Sequence, residues 1–276
     1  MDDRSLTNWN IMKYSRNLQL ETNDEIAREA AMTVMLEEEQ YATIVCSPVS
    51  LEEMVIGFLA TEGLIRTTRD IKQLQIDEER GFAYVTLYYT PTLTNNQERW
   101  IGSCCGKSRE FYLKQDVKTA KTIMTETSIA LDNVYELMKQ FEETAETRNR
   151  TGGVHQAAIA TEEEMLAAFI DIGRHNALDK LYGYLLKEKT SLKNKIILFS
   201  GRVSSEIVLK VSKIGVGMII AKSAPTDLAL KLADDLNVSV IGFAKEASFN
   251  VYTNQTSVYE AEKNNHHPHN NIEESR

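Results

Sequence analysis

Two neighbouring cysteines, Cys104 and Cys105, stand in the segment Gly102-Ser103-Cys104-Cys105-Gly106-Lys107-Ser108-Arg109, and Cys46 is the other cysteine of the chain. The flanking glycines loosen the backbone, while Lys107 and Arg109 favour the thiolate, the form of cysteine that attacks electrophilic sulfur. The segment reads as a loop that carries sulfur. Three other segments suggest a different chemistry: Asp171-Ile172-Gly173-Arg174-His175-Asn176, Ser200-Gly201-Arg202-Val203-Ser204-Ser205 and Lys222-Ser223-Ala224-Pro225-Thr226. Each sets small or hydroxyl-bearing residues and a cation just before a helical pattern, where unpaired N–H groups and the helix dipole attract phosphate. Taken singly, any of them reads equally well as a helix cap with a solvated cation. Together they suggest a phosphate-rich ligand.

Positioning such loops requires alternating strands and helices, and the second half of the chain supplies them. Strands are predicted at 166–170, 196–199, 218–221, 238–243 and 249–253, with helices starting at Asn176, Ser204 and Thr226, a pattern that argues for an α/β sheet flanked by helices. In such a sheet the strand-to-helix loops gather at the carboxyl ends of the strands. Upstream, the apolar runs between Thr33 and Val45 around Glu37-Glu38-Glu39 read as a hairpin closed by Cys46. Ser50-Leu51-Glu52-Glu53 has capping-box spacing before a helix that Gly63 can end. Residues 82–89 read as a strand, and Ile129, Leu131, Val134, Leu137, Met138 and Phe141 recur at helical spacing. The expected division is an arm at 1–28, a region with hairpin, helix and cysteine loop at 29–146, an α/β cofactor-binding region at 147–257, and a disordered tail at 258–276.

Composition narrows the function. A net charge of -9 argues against general attraction to nucleic acid or acidic membranes, so any anion must be met by a local cluster of cations. The start lacks the apolar stretch of a signal peptide, and no later run suits a membrane helix, which predicts a cytoplasmic protein. Three cysteines, two of them adjacent, do not make a disulfide framework.

Several segments together resemble the FdhD family: Pro48-Val49-Ser50-Leu51 with Gly57-Phe58-Leu59-Ala60-Thr61-Glu62-Gly63-Leu64-Ile65, Gly152-Gly153-Val154-His155-Gln156-Ala157-Ala158, the long string from Asp171 to Lys180, Ser223-Ala224-Pro225-Thr226, and Gly242-Phe243 through Asn250-Val251-Tyr252. The resemblance implies an accessory sulfurtransferase. Such a protein accepts sulfur from a cysteine desulfurase as a cysteine persulfide and delivers it to the molybdenum bis(guanine dinucleotide) cofactor of formate dehydrogenase. It also implies a cytidine-deaminase-like mixed sheet with a smaller N-terminal β-rich subdomain, a homodimer, and GDP as a mimic of the bound cofactor. The carrier is then Cys105 or Cys104. The cofactor-binding residues implied are Phe243, Ala244, Lys245, Glu246, Ala247 and Ser248, with Arg174, His175, Arg202 and Lys222. A non-catalytic chaperone that binds the dinucleotide and docks on the dehydrogenase is the alternative.

The chain departs from that family in two places. Many members carry C-x-x-C where this chain has the adjacent pair, so that Gly102 stands at the first cysteine position, and the 243–248 loop lacks the usual later glycine and arginine. Other motifs fail on spacing: three residues, not four, separate Gly102 from Gly106, which excludes a Walker A loop, and His155 is followed by Gln156-Ala157, not by the H-x-E of a zinc deaminase. The cysteines and His155 lack zinc-site spacing, so no metal is expected. His175 beside Arg174 is assigned to the crevice, Cys46 to the core, and Asp179 and Lys180 to the helix surface.

Overall fold

The computed structural model describes residues 3–16, 18–89, 99–101, 120–124, 126–245 and 247–260. Cys104, Cys105 and Glu246 lie outside the described residues, as does the segment from 261 onward. Strands start earlier than the sequence suggested. β1 (Leu6–Ser15) and β2 (Leu18–Ala27) pair antiparallel as a two-stranded ribbon in which Trp9, Tyr14, Leu18 and Leu20 are exposed. With solvent on both faces, such strands carry no inward-outward alternation for a sequence to display.

Five strands make the smaller sheet: β3 (Ala30–Leu36), β4 (Glu39–Cys46), β5 (Ile71–Asp77), β6 (Phe82–Leu87) and β7 (Arg99–Ile101), in the order β5-β6-β3-β4-β7. The expected hairpin is β3–β4, turning through Glu37 and Glu38, both at positive φ. Helix α1 (Leu51–Thr61) follows, with all but Glu52 and Glu53 buried, because it lies inside the molecule and not on its surface. Its capping box does not form. Ser50 is left-handed and its side chain makes no cap bond, whereas Gly63 at φ 76 ends the helix as expected.

The larger sheet has six strands in the order β10-β9-β11-β12-β13-β14: β9 (His155–Ala160), β10 (Met165–Asp171), β11 (Ile196–Phe199), β12 (Met218–Ala221), β13 (Ser239–Lys245) and β14 (Ser248–Val251). The strands β11, β12 and β13 are parallel, and β9, β10 and β14 complete a mixed sheet. Helices α4 (Arg174–Lys187), α5 (Ser205–Ile214) and α6 (Asp227–Leu236) connect successive strands and share one face, as right-handed crossovers between strands laid down in order require. Helix α2 (Leu131–Glu143) covers the other face, ahead of the short α3 (Glu146–Thr151). The four-residue strands divide between the two covers: Ile197 and Phe199 join the core under α4 to α6, while Ile196 and Leu198 join Val134, Leu137, Met138 and Phe141 of α2. Two short strands, β8 (Ile129–Ala130) and β15 (Val258–Tyr259), pair in parallel immediately before α2. Glu162 fastens this clasp, its Oε1 accepting from Ala130 N at 2.8 Å and Tyr259 Oη at 2.7 Å.

One hydrophobic cluster runs from Met32 and Val85 of the smaller sheet through α1 and α4 to Ile219 and Val240 of the larger. The helices α1 and α4 meet at glycines: a Cβ on Gly57 would fall 1.8 Å from Asp179 O, and one on Gly183 would fall 1.9 Å from Glu53 O. Among the described residues no helix is long and apolar enough to cross a membrane.

The string Asp171 to Lys180 is largely structural. Asp179 and Lys180 are buried, not on the helix surface as expected, because each meets a partner from another element. Asp179 binds Lys210 Nζ through both carboxylate oxygens at 2.6 Å and accepts from Thr61 Oγ1 at 2.7 Å. Lys180 Nζ lies 2.7 Å from Asp171 Oδ2, and Asn176 Nδ2 donates to both Val45 O and Asp171 Oδ1 at 2.9 Å.

Cys46 is fully buried at the end of β4, where burial and then the nearby Asp171 push its thiol up to about 12. It is expected to resist iodoacetamide at pH 8 in the native protein and to react once urea unfolds the chain. Peptide mass mapping checks this, and rapid native labelling would contradict the buried position.

Candidate functional site

The strand directions bring the junction loops to one edge. Because β11, β12 and β13 run parallel and β9 runs against them, the carboxyl ends of β10 to β13 and the amino end of β9 face the same way. Hydrogen bonds tie these ends in series. Gln156 N donates to Ser200 Oγ at 2.8 Å, Ser223 Oγ donates to Ser200 O at 3.0 Å, and Phe243 N donates to Ser223 O at 3.3 Å. Gly242 permits the last approach, since a Cβ there would meet Ser223 O at 3.2 Å and Tyr252 at 3.0 Å.

On the α2 side this edge opens into a cleft of about 350 Å³ lined by Met138, Glu142, Lys222, Ala244, Lys245 and Ala247. Four of the ten cofactor-binding residues expected from the sequence thus line one opening: Lys222, Ala244, Lys245 and Ala247. Ala244 and Lys245 end β13 and Ala247 lies in the turn before β14, with Lys245 paired to Ser248. Phe243 stands there at φ 53 with its ring partly exposed. Lys245 is exposed and makes no ion pair among the described residues.

Glu142 and Arg148 belong to this site although no motif marked them. Lys222 Nζ lies 2.6 Å from Glu142 Oε1, and Arg148 Nη2 donates to Glu142 Oε2 at 2.5 Å. Burial pushes the Glu142 carboxyl up, but Lys222 and Arg148 outweigh it and hold the group below the usual carboxylate range. Arg148 also lies over the Phe141 ring, 5.6 Å from its centroid. The two residues flank a helix break, so only the folded chain shows that they converge.

The remaining cations lie around the amino ends of α4 and α5. Arg174, in the first turn of α4, packs so close to Gly201 that a Cβ there would sit 3.2 Å from Arg174 Cβ. Its Nε is buried without a hydrogen-bond partner. Burial, followed by the charge of Arg174, holds the His155 imidazole below the usual histidine range, which favours the neutral ring at neutral pH. His175 is tied differently. Its Nε2 lies 3.2 Å from Glu206 Oε2 in the first turn of α5, so part of its hydrogen-bonding capacity is committed to a carboxylate. Arg202 is exposed on the loop after β11. Among the described residues no group of three or more His, Cys, Asp or Glu side chains is arranged to hold a metal ion.

Chemically, the edge offers cations at several loop ends and an apolar floor of Met138 and Ala244, a setting for a ligand with phosphate groups and a flat or apolar part. Comparison with known proteins agrees with the architecture and extends it. The chain is 52% identical over 250 residues to the Sulfur carrier protein FdhD of Geobacillus kaustophilus, covering 90% of this chain and 95% of that protein. It is 46% identical over 262 residues to the Sulfur carrier protein FdhD of Bacillus subtilis, covering 94% and 100%. A crystal structure of a candidate formate dehydrogenase accessory protein from Desulfotalea psychrophila shares the fold with a TM-score of 0.76, at 20% identity and with coverage of 92% and 99%. Residues 27–259 match the FdhD/NarQ family, and with near-full-length relatives at about half identity the chain belongs to that family.

Proposed function

We propose that this protein is a sulfur carrier that serves the maturation of formate dehydrogenase. The observation that carries this reading is the identity, extending over nearly the whole chain, to two proteins named for sulfur carriage. The carrier is Cys105 or Cys104, whose thiolate attacks the terminal sulfur of a cysteine desulfurase persulfide. The new S–S bond forms as the old one breaks, the terminal S–H moves with its sulfur, and the desulfurase cysteine leaves as a thiolate. The sulfur then passes to the molybdenum bis(guanine dinucleotide) cofactor, which is cargo and not a resident group.

Two features support this. The edge that gathers Lys222, Lys245, Arg174 and Arg202 suits the pyrophosphates of such a cargo, for which GDP is a convenient probe. Strand β7 runs parallel to β4, and the end of β4 leads into Ser47, whose N–H donates to Asp171 Oδ2 at 3.0 Å at the same edge. Three residues on from Ile101 stands Cys104, a span of at most ~11 Å of extended chain. A homodimer would place two such edges in one assembly.

Incubation with a cysteine desulfurase and cysteine is expected to add the mass of one sulfur atom to the peptide containing Cys104 and Cys105. A Cys104→Ala, Cys105→Ala double variant should lose that gain and also fail to activate formate dehydrogenase in cells lacking the wild-type protein. If the double variant restored full dehydrogenase activity, the protein would be a chaperone for the cofactor and not a carrier of sulfur.

A further inference from the structure

The cleft contains an anion of its own. Glu142, in the last turn of α2, contacts Lys222 and Arg148 at 2.6 and 2.5 Å, and both Glu142 and Lys222 line the opening. We propose that Glu142 is an internal counter-anion which an incoming phosphate-bearing ligand must displace from Lys222 and Arg148. The proposal rests on reading this edge as a phosphate site and adds what sets its selectivity.

A second observation concerns unmet hydrogen bonds. Glu142 Oε1, Arg148 Nη1 and Gln156 Oε1 are buried without a hydrogen-bond partner, and the three gather around the end of α2. Glu142 Oε1 nevertheless meets the Lys222 ammonium at 2.6 Å, so its charge is compensated by the ion pair. Gln156 is fully buried, and its amide orientation follows from its neighbour. Thr144 Oγ1 donates to the main-chain oxygens of α2, so it accepts from Gln156 Nε2 at 3.0 Å and leaves Oε1 without a donor. Buried polar atoms are normally paired; of these three, Arg148 Nη1 is a donor that a phosphoryl oxygen can complete, whereas Glu142 Oε1 and Gln156 Oε1 are acceptors that gain nothing from such a ligand.

The carboxylate is placed to move while its cations stay. The Glu142 side chain is 28% exposed and can turn toward solvent by rotating about its own bonds, whereas Arg148, at 12%, is held against the Phe141 ring. Lys245 at the opening has no ion pair to break among the described residues. A singly charged anion gains little by replacing a carboxylate that is already positioned. A ligand with several phosphoryl oxygens engages Lys222, Arg148 and Lys245 together and wins the exchange.

Calorimetric titration of the full chain with inorganic pyrophosphate tests this. Glu142→Gln is expected to bind pyrophosphate about tenfold more tightly than the wild type, since the cations no longer have to release a charged partner. Glu142→Asp, which retains the charge but withdraws it by one methylene, should tighten binding by a smaller factor and serves if the glutamine variant does not fold. Equal or weaker binding by these variants, with clear binding by the wild type, would overturn the proposal and show that Glu142 orients the cations. Absence of binding in every protein would overturn it together with the phosphate reading, whereas sulfur loading on the cysteines is measured separately and would stand or fall alone.

Discussion

Gly57→Ala is expected to destabilise the fold markedly. Exchanging a helical glycine for alanine ordinarily gains about 1 kcal/mol in helix propensity. Here the added methyl would lie 1.8 Å from Asp179 O and 2.8 Å from Gly183 N, which are backbone atoms of a packed helix with no rotamer to change. Forcing α1 and α4 apart costs about 3 kcal/mol or more, so the clash outweighs the propensity gain. Against the ~5–15 kcal/mol typical of a native domain that is a large fraction. Gly183→Ala should behave alike, because its methyl would lie 1.9 Å from Glu53 O on the opposite helix. Urea unfolding checks both variants, and an unchanged midpoint would mean that the helices do not cross this closely.

Asp171→Ala is the second change with a large expected effect. The carboxylate accepts from Gly173 N and Asn176 Nδ2 through Oδ1, accepts from Ser47 N through Oδ2, and faces Lys180 Nζ at 2.7 Å with both side chains fully buried. Its loss leaves the ammonium of Lys180 with only the main-chain oxygens of Ser47 and Ile170, at 3.1 Å each. An uncompensated buried charge costs about 3–5 kcal/mol. Adding Lys180→Met should recover part of the loss, since the charge that lacks a partner is then gone. The comparison is again a urea midpoint, and a single variant as stable as the double would show that the pair contributes little.

Much of the architecture was legible because burial writes itself into composition. The strands at 196–199 and 218–221 were bounded correctly from unbroken apolar runs, the starts of α5 and α6 fell within a residue of those expected, and α2 was seen from helical spacing, although Ile129 of that series lies in β8. Elements without such a record were missed. Strand β9 is rich in alanine, which has no β preference, and β5 is an edge strand with half-buried side chains. The site divided in the same way. Lys222 was named from a strand-to-helix junction and Lys245 from the family resemblance, and both line the cleft, whereas Glu142 and Arg148 come from the covering helix and the short helix after it, whose docking no local pattern records. The segment Asp171 to Asn176 suggested ligand contacts, and Asp179 and Lys180 a helix surface, yet Asp171, Asn176, Asp179 and Lys180 are occupied in joining β4, α1, α4 and α5. Polar side chains at close spacing look the same in a sequence whether they face a ligand or the interior.

The pairing of β8 with β15 bears on when the cleft is finished. The parallel strands and the loops beyond their ends are all in place by about residue 247, yet Val258 and Tyr259 are what fasten the segment in front of α2, and α2 carries Glu142. A chain emerging from the ribosome therefore exposes its cationic edge before the wall that brings the opposing carboxylate has been clasped. A strand made after the whole sheet secures that wall, so the charge balance of the opening is settled later than the sheet itself.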